Sequence, residues 1–79
     1  MGSSDRKSDR EMAVRHVLQG RGIVARQREC VERLARKGLD TTEAQRTLDL
    51  FTRTLDIFED DLRRILAAER NRRSPSDRP

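Results

Sequence analysis

The feature that most constrains the fold of this chain is the junction at residues 38–40, where one helical segment ends and another begins. Gly38 follows a basic last turn and stands where helices commonly end on a left-handed residue, a conformation that glycine adopts without strain. Asp40 is a good helix N-cap, and Glu43 lies where it would complete a capping box. A helix end and a helix start this close together predict an antiparallel helical hairpin.

Apolar residues on both sides of the junction recur at helical spacing. In the second segment they alternate at spacings of four and three, which is typical of a coiled-coil-like seam. The two seams are Ala13, Val17, Gly20, Val24, Gln27, Val31 and Leu34 on the first segment, and Ala44, Leu48, Phe51, Leu55, Phe58, Leu62 and Ile65 on the second. Folding the chain at residue 39 places Gly20 opposite Phe58, so the missing side chain is predicted to make room for the ring.

The predicted organisation is one all-α domain with a polar segment at each end. Gly20 and Gly22 leave an alternative open, in which the first helix breaks near residue 20, because glycine inside a helix costs about 1 kcal/mol relative to alanine. The predicted ranges are a disordered segment at 1–8, a helical hairpin at 9–72 formed by a helix at 9–37, a turn at 38–40 and a helix at 41–72, and a disordered tail at 73–79.

A second apolar strip lies beside the seams, and a lone hairpin would expose it to water. Its members are Ile23, Cys30, Leu50, Thr54 and Ile57. A smaller cluster at the open end of the hairpin consists of Val14, Leu18 and Leu66, and we expect it either to extend the same interface or to cap the bundle. Because two helices alone bury little, we expect the strip to be the interface of a homodimer in which two hairpins close a four-helix bundle.

The composition argues against an enzyme. The chain has 79 residues, 33% of them hydrophobic, with a single cysteine and a single histidine. No nucleophile–base pair, glycine-rich phosphate loop or metal-ligand spacing can be assembled on such a hairpin, so we expect no catalytic residue, no cofactor and no metal site. Cys30 is expected to be a small buried apolar residue near the interface, and His16 is expected to pair with Asp61 on the surface.

The charge is divided between the two segments. Residues 1–37 carry ten basic and five acidic side chains, whereas residues 40–72 carry six basic and eight acidic ones. Opposite net charges favour pairing of the halves, with Arg21 facing Glu59. Further pairs are expected within each helix at a spacing of four. They are Glu29 with Arg33, Glu32 with Arg36, Asp49 with Arg53, and Glu59 with Arg63.

Nucleic-acid binding is the alternative function that the charge leaves open. The chain has a formal net charge of +4 and an isoelectric point of about 10.5. The candidate contacts for phosphates lie along the outward face of the first helix and are Arg15, Arg26, Arg33 and Arg36. Glu29 interrupts this stripe, and no aromatic side chain is left for base stacking, so we expect much of the basic face to be solvated.

The run from Arg15 to Leu66 resembles short bacterial helical-hairpin proteins of unassigned function that share a V-A-R-Q-R…L…G-x-D-T-x-E-A pattern. Here the pattern is present at residues 24–28, at Leu34 and at residues 38–44. The resemblance implies a small cytoplasmic helical protein and no particular activity. The absence of an 18-residue apolar run and of a secretory signal leads to the same expectation of a cytoplasmic protein without membrane contact.

The sequence therefore predicts a small non-enzymatic helical protein that dimerises. We expect it to act through contact with a protein partner, as a regulator or an adaptor. The alternative is a dimeric bundle that binds RNA or DNA through the arginines of the first helix.

Overall fold

The computed structural model describes the backbone of residues 2–73 and the side chains of residues 8–71. It contains two α-helices, α1 over Gly2–Arg36 and α2 over Thr42–Arg73, which pack against each other as a hairpin. The all-α hairpin predicted from the sequence is confirmed.

The turn forms because Gly38 adopts a left-handed conformation, with a φ of 72°. The amide of Leu39 donates to the carbonyl oxygen of Leu34 at 2.9 Å, and the amide of Gly38 donates to that of Ala35 at 3.0 Å. These two bonds define a Schellman motif, which satisfies carbonyl groups that the end of a helix otherwise leaves unpaired. The role predicted for Gly38 is confirmed.

Asp40 accepts hydrogen bonds from the first turn of the second helix, but the N-cap position is held by Thr41, because its carbonyl oxygen accepts the first helical hydrogen bond, from the amide of Gln45 at 2.8 Å. The backbone amide and the hydroxyl of Thr42 both donate to Asp40 Oδ1, at 3.0 and 2.7 Å. These bonds favour the ionised carboxylate, and they hold the pKa of Asp40 below its ordinary value of 3.8. Glu43 makes no hydrogen bond back to Asp40 within the described residues, so the expected capping box does not form.

The helices extend further than the apolar pattern indicated. The described backbone is helical from Gly2, where the sequence analysis placed a disordered segment at 1–8 and a helix start at residue 9. A helix that is already nucleated can add residues without an apolar period, and no proline lies in this stretch to stop it. At the other end α2 reaches Arg73, and the predicted tail beyond that residue lies outside the described part of the chain.

The first helix is continuous through both central glycines, so the alternative of a break near residue 20 does not occur. A Cβ atom added to Gly20 would lie 3.0 Å from Leu55 Cδ1 and 3.7 Å from Phe58 Cδ2. The close approach to Phe58 that the fold-back register predicted is therefore confirmed. Gly22 has no such neighbour within 4 Å, so its missing side chain serves no packing role.

The core is thin because the hairpin is a single layer of helices. The principal extents are 64 × 27 × 14 Å, and the smallest is little more than the diameter of one helix, about 10–12 Å. Among the described side chains the buried hydrophobic ones are Ala13, Val17 and Val24, all on α1. The seam residues of α2 stay partly exposed. A layer of this kind has two open faces, and the sequence determines what each of them presents.

Candidate interaction surface

One face of the layer carries exposed aliphatic side chains, and we call it the apolar face. Its members are Met12, Ile23, Cys30, Leu50, Thr54 and Ile57. Ile57 is 65% exposed and Leu50 is 59% exposed, while Ile23 is 39% exposed. Cys30 is half-buried and has no disulfide partner. The strip predicted from the sequence therefore lies on one surface of the hairpin and is open to solvent.

Two polar side chains on and below this face are hydrogen-bonded within the hairpin. The hydroxyl of Thr54 donates to the backbone carbonyl of Leu50 at 3.1 Å, which leaves the rest of that side chain as apolar surface. On the seam below, Gln27 Nε2 donates to the carbonyl of Ala44 at 3.0 Å and ties the two helices together. A partner that covers the strip would thus bury the hydroxyl of Thr54 with its hydrogen bond already formed, whereas the exposed amide of Gln19 beside the groove would need a hydrogen bond from water or from the partner.

A shallow groove runs between the helices on the apolar face. Its volume is about 130 Å³, and its lining residues are His16, Gln19, Gly20, Ile23, Phe51, Thr54, Leu55 and Phe58. Gly20 lets the two helices approach closely at this point, because its missing side chain makes room for Leu55 and Phe58, and the groove lies beside this contact. Small-molecule sites usually enclose about 300–1,000 Å³, and this groove is better matched to a side chain of a partner.

His16 forms one wall of the groove by contacting an aromatic ring. Its imidazole centroid lies 5.0 Å from that of Phe58, with the rings tilted by 32°. The predicted ion pair between His16 and Asp61 is wrong, since no described salt bridge joins them. Contact with the ring buries more of the imidazole than a solvated pair would.

The opposite face of the layer is bridged by charge, and we call it the ion-pair face. Arg21 Nη2 lies 3.3 Å from Glu59 Oε2, which confirms the predicted pair. Arg10 Nη1 donates to Glu69 Oε1 at 3.1 Å. The second pair was not predicted, although Arg10 and Glu69, like Gly20 and Phe58, lie at nearly equal distances along the chain from residue 39.

The ion-pair face also carries the predicted cluster of Val14, Leu18 and Leu66. Leu18 is 61% exposed, close to the value for Ile57 on the other face. Leu66 lines a surface depression together with Arg21 and Glu59, so the cluster lies on the ion-pair side. It does not extend the apolar face.

The salt bridges expected within each helix are not formed. None of the four pairs spaced by four residues is among the ion pairs of the described side chains, and Arg63 instead lies 2.6 Å from Asp60, three residues earlier. Glu59, which was also predicted to pair with Arg63, is engaged across the hairpin by Arg21. Several arginines are consequently exposed and form no ion pair with a described residue. They include Arg15, Arg26, Arg33 and Arg36.

The described residues offer neither a metal site nor a membrane-spanning helix. No group of three or more His, Cys, Asp or Glu side chains there is arranged to hold a metal ion. Neither described helix has a stretch that is both long and apolar enough to span a bilayer.

Comparisons with protein-family models, with curated proteins and with solved structures find no match to this chain. The resemblance of residues 15–66 to short bacterial hairpin proteins therefore stays a prediction. Any functional inference for the chain has to come from its own surfaces, of which the apolar face is the most distinctive.

Proposed function

We propose that this protein is a non-enzymatic helical hairpin that forms a homodimer through its apolar face and acts by protein–protein contact, as a small regulator or adaptor. The observation that carries the proposal is the exposure of Leu50 and Ile57 beside an apolar groove, on a layer with very few buried side chains. A second hairpin laid on this face would close a four-helix bundle.

A second copy is favoured because the hairpin exposes more large apolar side chains than it buries among the described residues. Complete burial of a Leu or Ile side chain contributes about 1.5–3 kcal/mol. Each copy contributes one Leu50 and one Ile57, so the dimer would bury four such side chains. The same contact would cover the half-exposed rings of Phe51 and Phe58, which lie in the groove. A two-fold interface uses the same patch on both copies, so one apolar face is sufficient for it.

The experiment that tests the dimer is sedimentation equilibrium of the full chain from low to high micromolar concentration. We expect the average mass to rise toward twice 9.2 kDa. The melting temperature should rise with concentration as well, because association stabilises the folded state by mass action. A folded protein that keeps the monomer mass and a constant melting temperature over this range would rule out the proposal.

A second candidate function is the binding of RNA or DNA by the outer face of α1. The observation in its favour is that Arg15, Arg26, Arg33 and Arg36 are exposed and unpaired among the described side chains. Against it, both phenylalanines lie in the groove, where they would be covered in the dimer and could not stack on bases.

Fluorescence anisotropy with a labelled duplex and a labelled single strand, over a series of salt concentrations, tests this candidate. If this candidate is correct, each arginine-to-glutamine change among the four should weaken binding. It should also lower the slope of the logarithm of the binding constant against the logarithm of salt concentration by about the contribution of one phosphate contact. Binding that is absent at physiological salt, or that is insensitive to all four changes, would exclude the candidate and leave the protein-contact function.

A further inference from the structure

The apolar face has an internal order along α2 that indicates how two copies meet. Arg46 lies one helical turn before Leu50, and Asp61 lies one turn after Ile57. All four positions share one side of the helix, since residues three and four apart are neighbours on a helical surface. The apolar pair is therefore flanked by a base on one side and by an acid on the other.

One turn further out the signs are reversed. Glu43 lies seven residues before Leu50, and Arg64 lies seven residues after Ile57. Glu43, Arg46, Asp61 and Arg64 are all exposed, and none of them is ion-paired with any described side chain. Around the apolar pair the order along the helix is thus acid, base, apolar, apolar, acid, base, and each of these four charged positions has the opposite sign when the order is reversed. Arg53, three residues after Leu50 and four before Ile57, lies at the centre of the same side and is the exception.

We infer that two copies associate with their α2 helices antiparallel, about a two-fold axis that passes between Arg53 and Thr54, so that their turns lie at opposite ends of the dimer. This inference rests on the proposed function, because it specifies how that dimer is arranged. Leu50 then contacts Ile57 of the second copy. Arg46 meets its Asp61, and Glu43 meets its Arg64.

The register of the hairpin shows which part of α1 lies level with the two-fold axis. The observed contacts of Gly20 with Phe58 and of Arg21 with Glu59 show which residues of α1 and α2 lie at one level. By the same register Ile23 lies within one turn of the two-fold axis. Both helices therefore contribute apolar surface near the axis. The four complementary charges of α2 lie toward the ends, and Arg53 of each copy lies beside the axis.

The competing arrangement has both turns at the same end. A two-fold axis parallel to the helices would then place α1 of one copy on α2 of the other at the same level. Arg26 would face Arg53 of the second copy, and Arg33 would face its Arg46. These like charges repel each other, whereas the antiparallel arrangement brings opposite charges together on α2. The charges thus favour turns at opposite ends.

A distance between the two turns distinguishes the arrangements directly. In the chain carrying Cys30→Ser and Lys37→Cys, a nitroxide label can be attached at the turn, and the label-to-label distance can be measured by pulsed electron paramagnetic resonance. The labelled residue 37 lies about 12 residues along the helix from the two-fold axis, and a helix rises about 1.5 Å per residue. The antiparallel dimer therefore predicts a label-to-label distance of about 35–40 Å. A distance below about 20 Å in a protein that sediments as a dimer would overturn the arrangement and leave the dimer itself intact.

Charge reversal provides an independent test. Arg46→Glu should raise the dimer dissociation constant about tenfold, because two attractive pairs per dimer become repulsive. Adding Asp61→Arg should restore most of the affinity. In the competing arrangement Arg46→Glu would face Arg33 and tighten the dimer, so a lower dissociation constant would contradict the inference.

Arg28→Glu is the matched control for Arg46→Glu. Arg28 is an exposed arginine of α1 with no ion pair to a described residue, and it lies away from the contact. This variant changes the net charge equally and should leave the dissociation constant within about twofold, since only the residues at the interface differ. If wild type and all three variants are monomers, both the arrangement and the proposed function fail. An equal weakening by Arg28→Glu and Arg46→Glu would point to net charge and contradict the specific pairs.

Discussion

The two faces of the hairpin are formed by the same two helices, yet they are built differently. On the ion-pair face, Arg10 and Arg21 reach across the seam and bind carboxylates of α2. On the apolar face, Ile23, Leu50 and Ile57 lie beside an open groove, and no described ion pair crosses it. A single layer of helices can thus carry its cross-helix ion pairs on one face, and it exposes aliphatic side chains on both, Leu18 on the ion-pair face and Leu50 and Ile57 on the apolar face.

The seam beneath both faces should show the largest effect of substitution. Gly20→Leu would place a large side chain against Leu55 and Phe58, where even a Cβ atom is at 3.0 Å from Leu55. We expect a loss of about 1–3 kcal/mol in the free energy of unfolding, the usual cost of overpacking. Urea denaturation followed by circular dichroism measures it.

Gly22→Leu is the matched control for this prediction, because Gly22 has nothing within 4 Å of a built Cβ atom. The better helix propensity of leucine should make this variant more stable by up to about 1 kcal/mol. Equal destabilisation by the two substitutions would show that Gly20 does not lie against Leu55 and Phe58, and would contradict the register of the seam.

The ion-pair face should respond weakly to the loss of a salt bridge. Arg21→Gln removes the contact with Glu59, and because the arginine side chain is 63% exposed we expect a cost toward the lower end of about 0.2–1 kcal/mol. A double-mutant cycle with Glu59→Gln isolates the coupling energy. A coupling energy well above 1 kcal/mol would mean that this salt bridge determines the register of the two helices. It would contradict the view that the apolar seam determines it.

The smallest effect concerns the turn, which both faces share. The pKa of Asp40 is lowered because Thr42 donates two hydrogen bonds to its carboxylate. The stabilisation is therefore present above the ordinary value of 3.8 and is lost as the pH falls through the lowered pKa. In Thr42→Ala the hydroxyl donor is absent, and an NMR titration should find the pKa of Asp40 closer to its ordinary value. An unchanged pKa would contradict the assigned cause.

The hairpin and its register could be predicted from the sequence because they depend on local signals. Gly38 and Asp40 encode the turn, and the apolar period fixes which residues face each other, as the contacts of Gly20 with Phe58 and of Arg21 with Glu59 show. The pair of Arg10 with Glu69, near the open end of the hairpin, follows from the same register.

The choice of partner by charged side chains within one helix could not be predicted, although the pair of Arg21 with Glu59 across the hairpin could. A pair at a spacing of four within a helix contributes only about 0.2–0.5 kcal/mol, so solvent or a competing partner can replace it. Arg63 accordingly contacts Asp60, while Glu59 is held by Arg21 across the hairpin. His16 is a similar case, since its ring lies on Phe58 and forms no ion pair with Asp61, although both residues line one surface depression. The exposure of the apolar face follows from the seam, because residues beside a two-helix seam stay at the surface.

The proposal that a second copy binds the apolar face is tested most directly by two matched substitutions, Ile57→Asp and Leu18→Asp. The two side chains are 65% and 61% exposed, and they lie on opposite faces of the same layer. Sedimentation equilibrium at equal concentration should find Ile57→Asp to be a folded monomer and Leu18→Asp to be a dimer like the wild type, because only the first variant buries a charge at the interface. Dimerisation that survives Ile57→Asp, or that is lost in Leu18→Asp alone, would contradict the account.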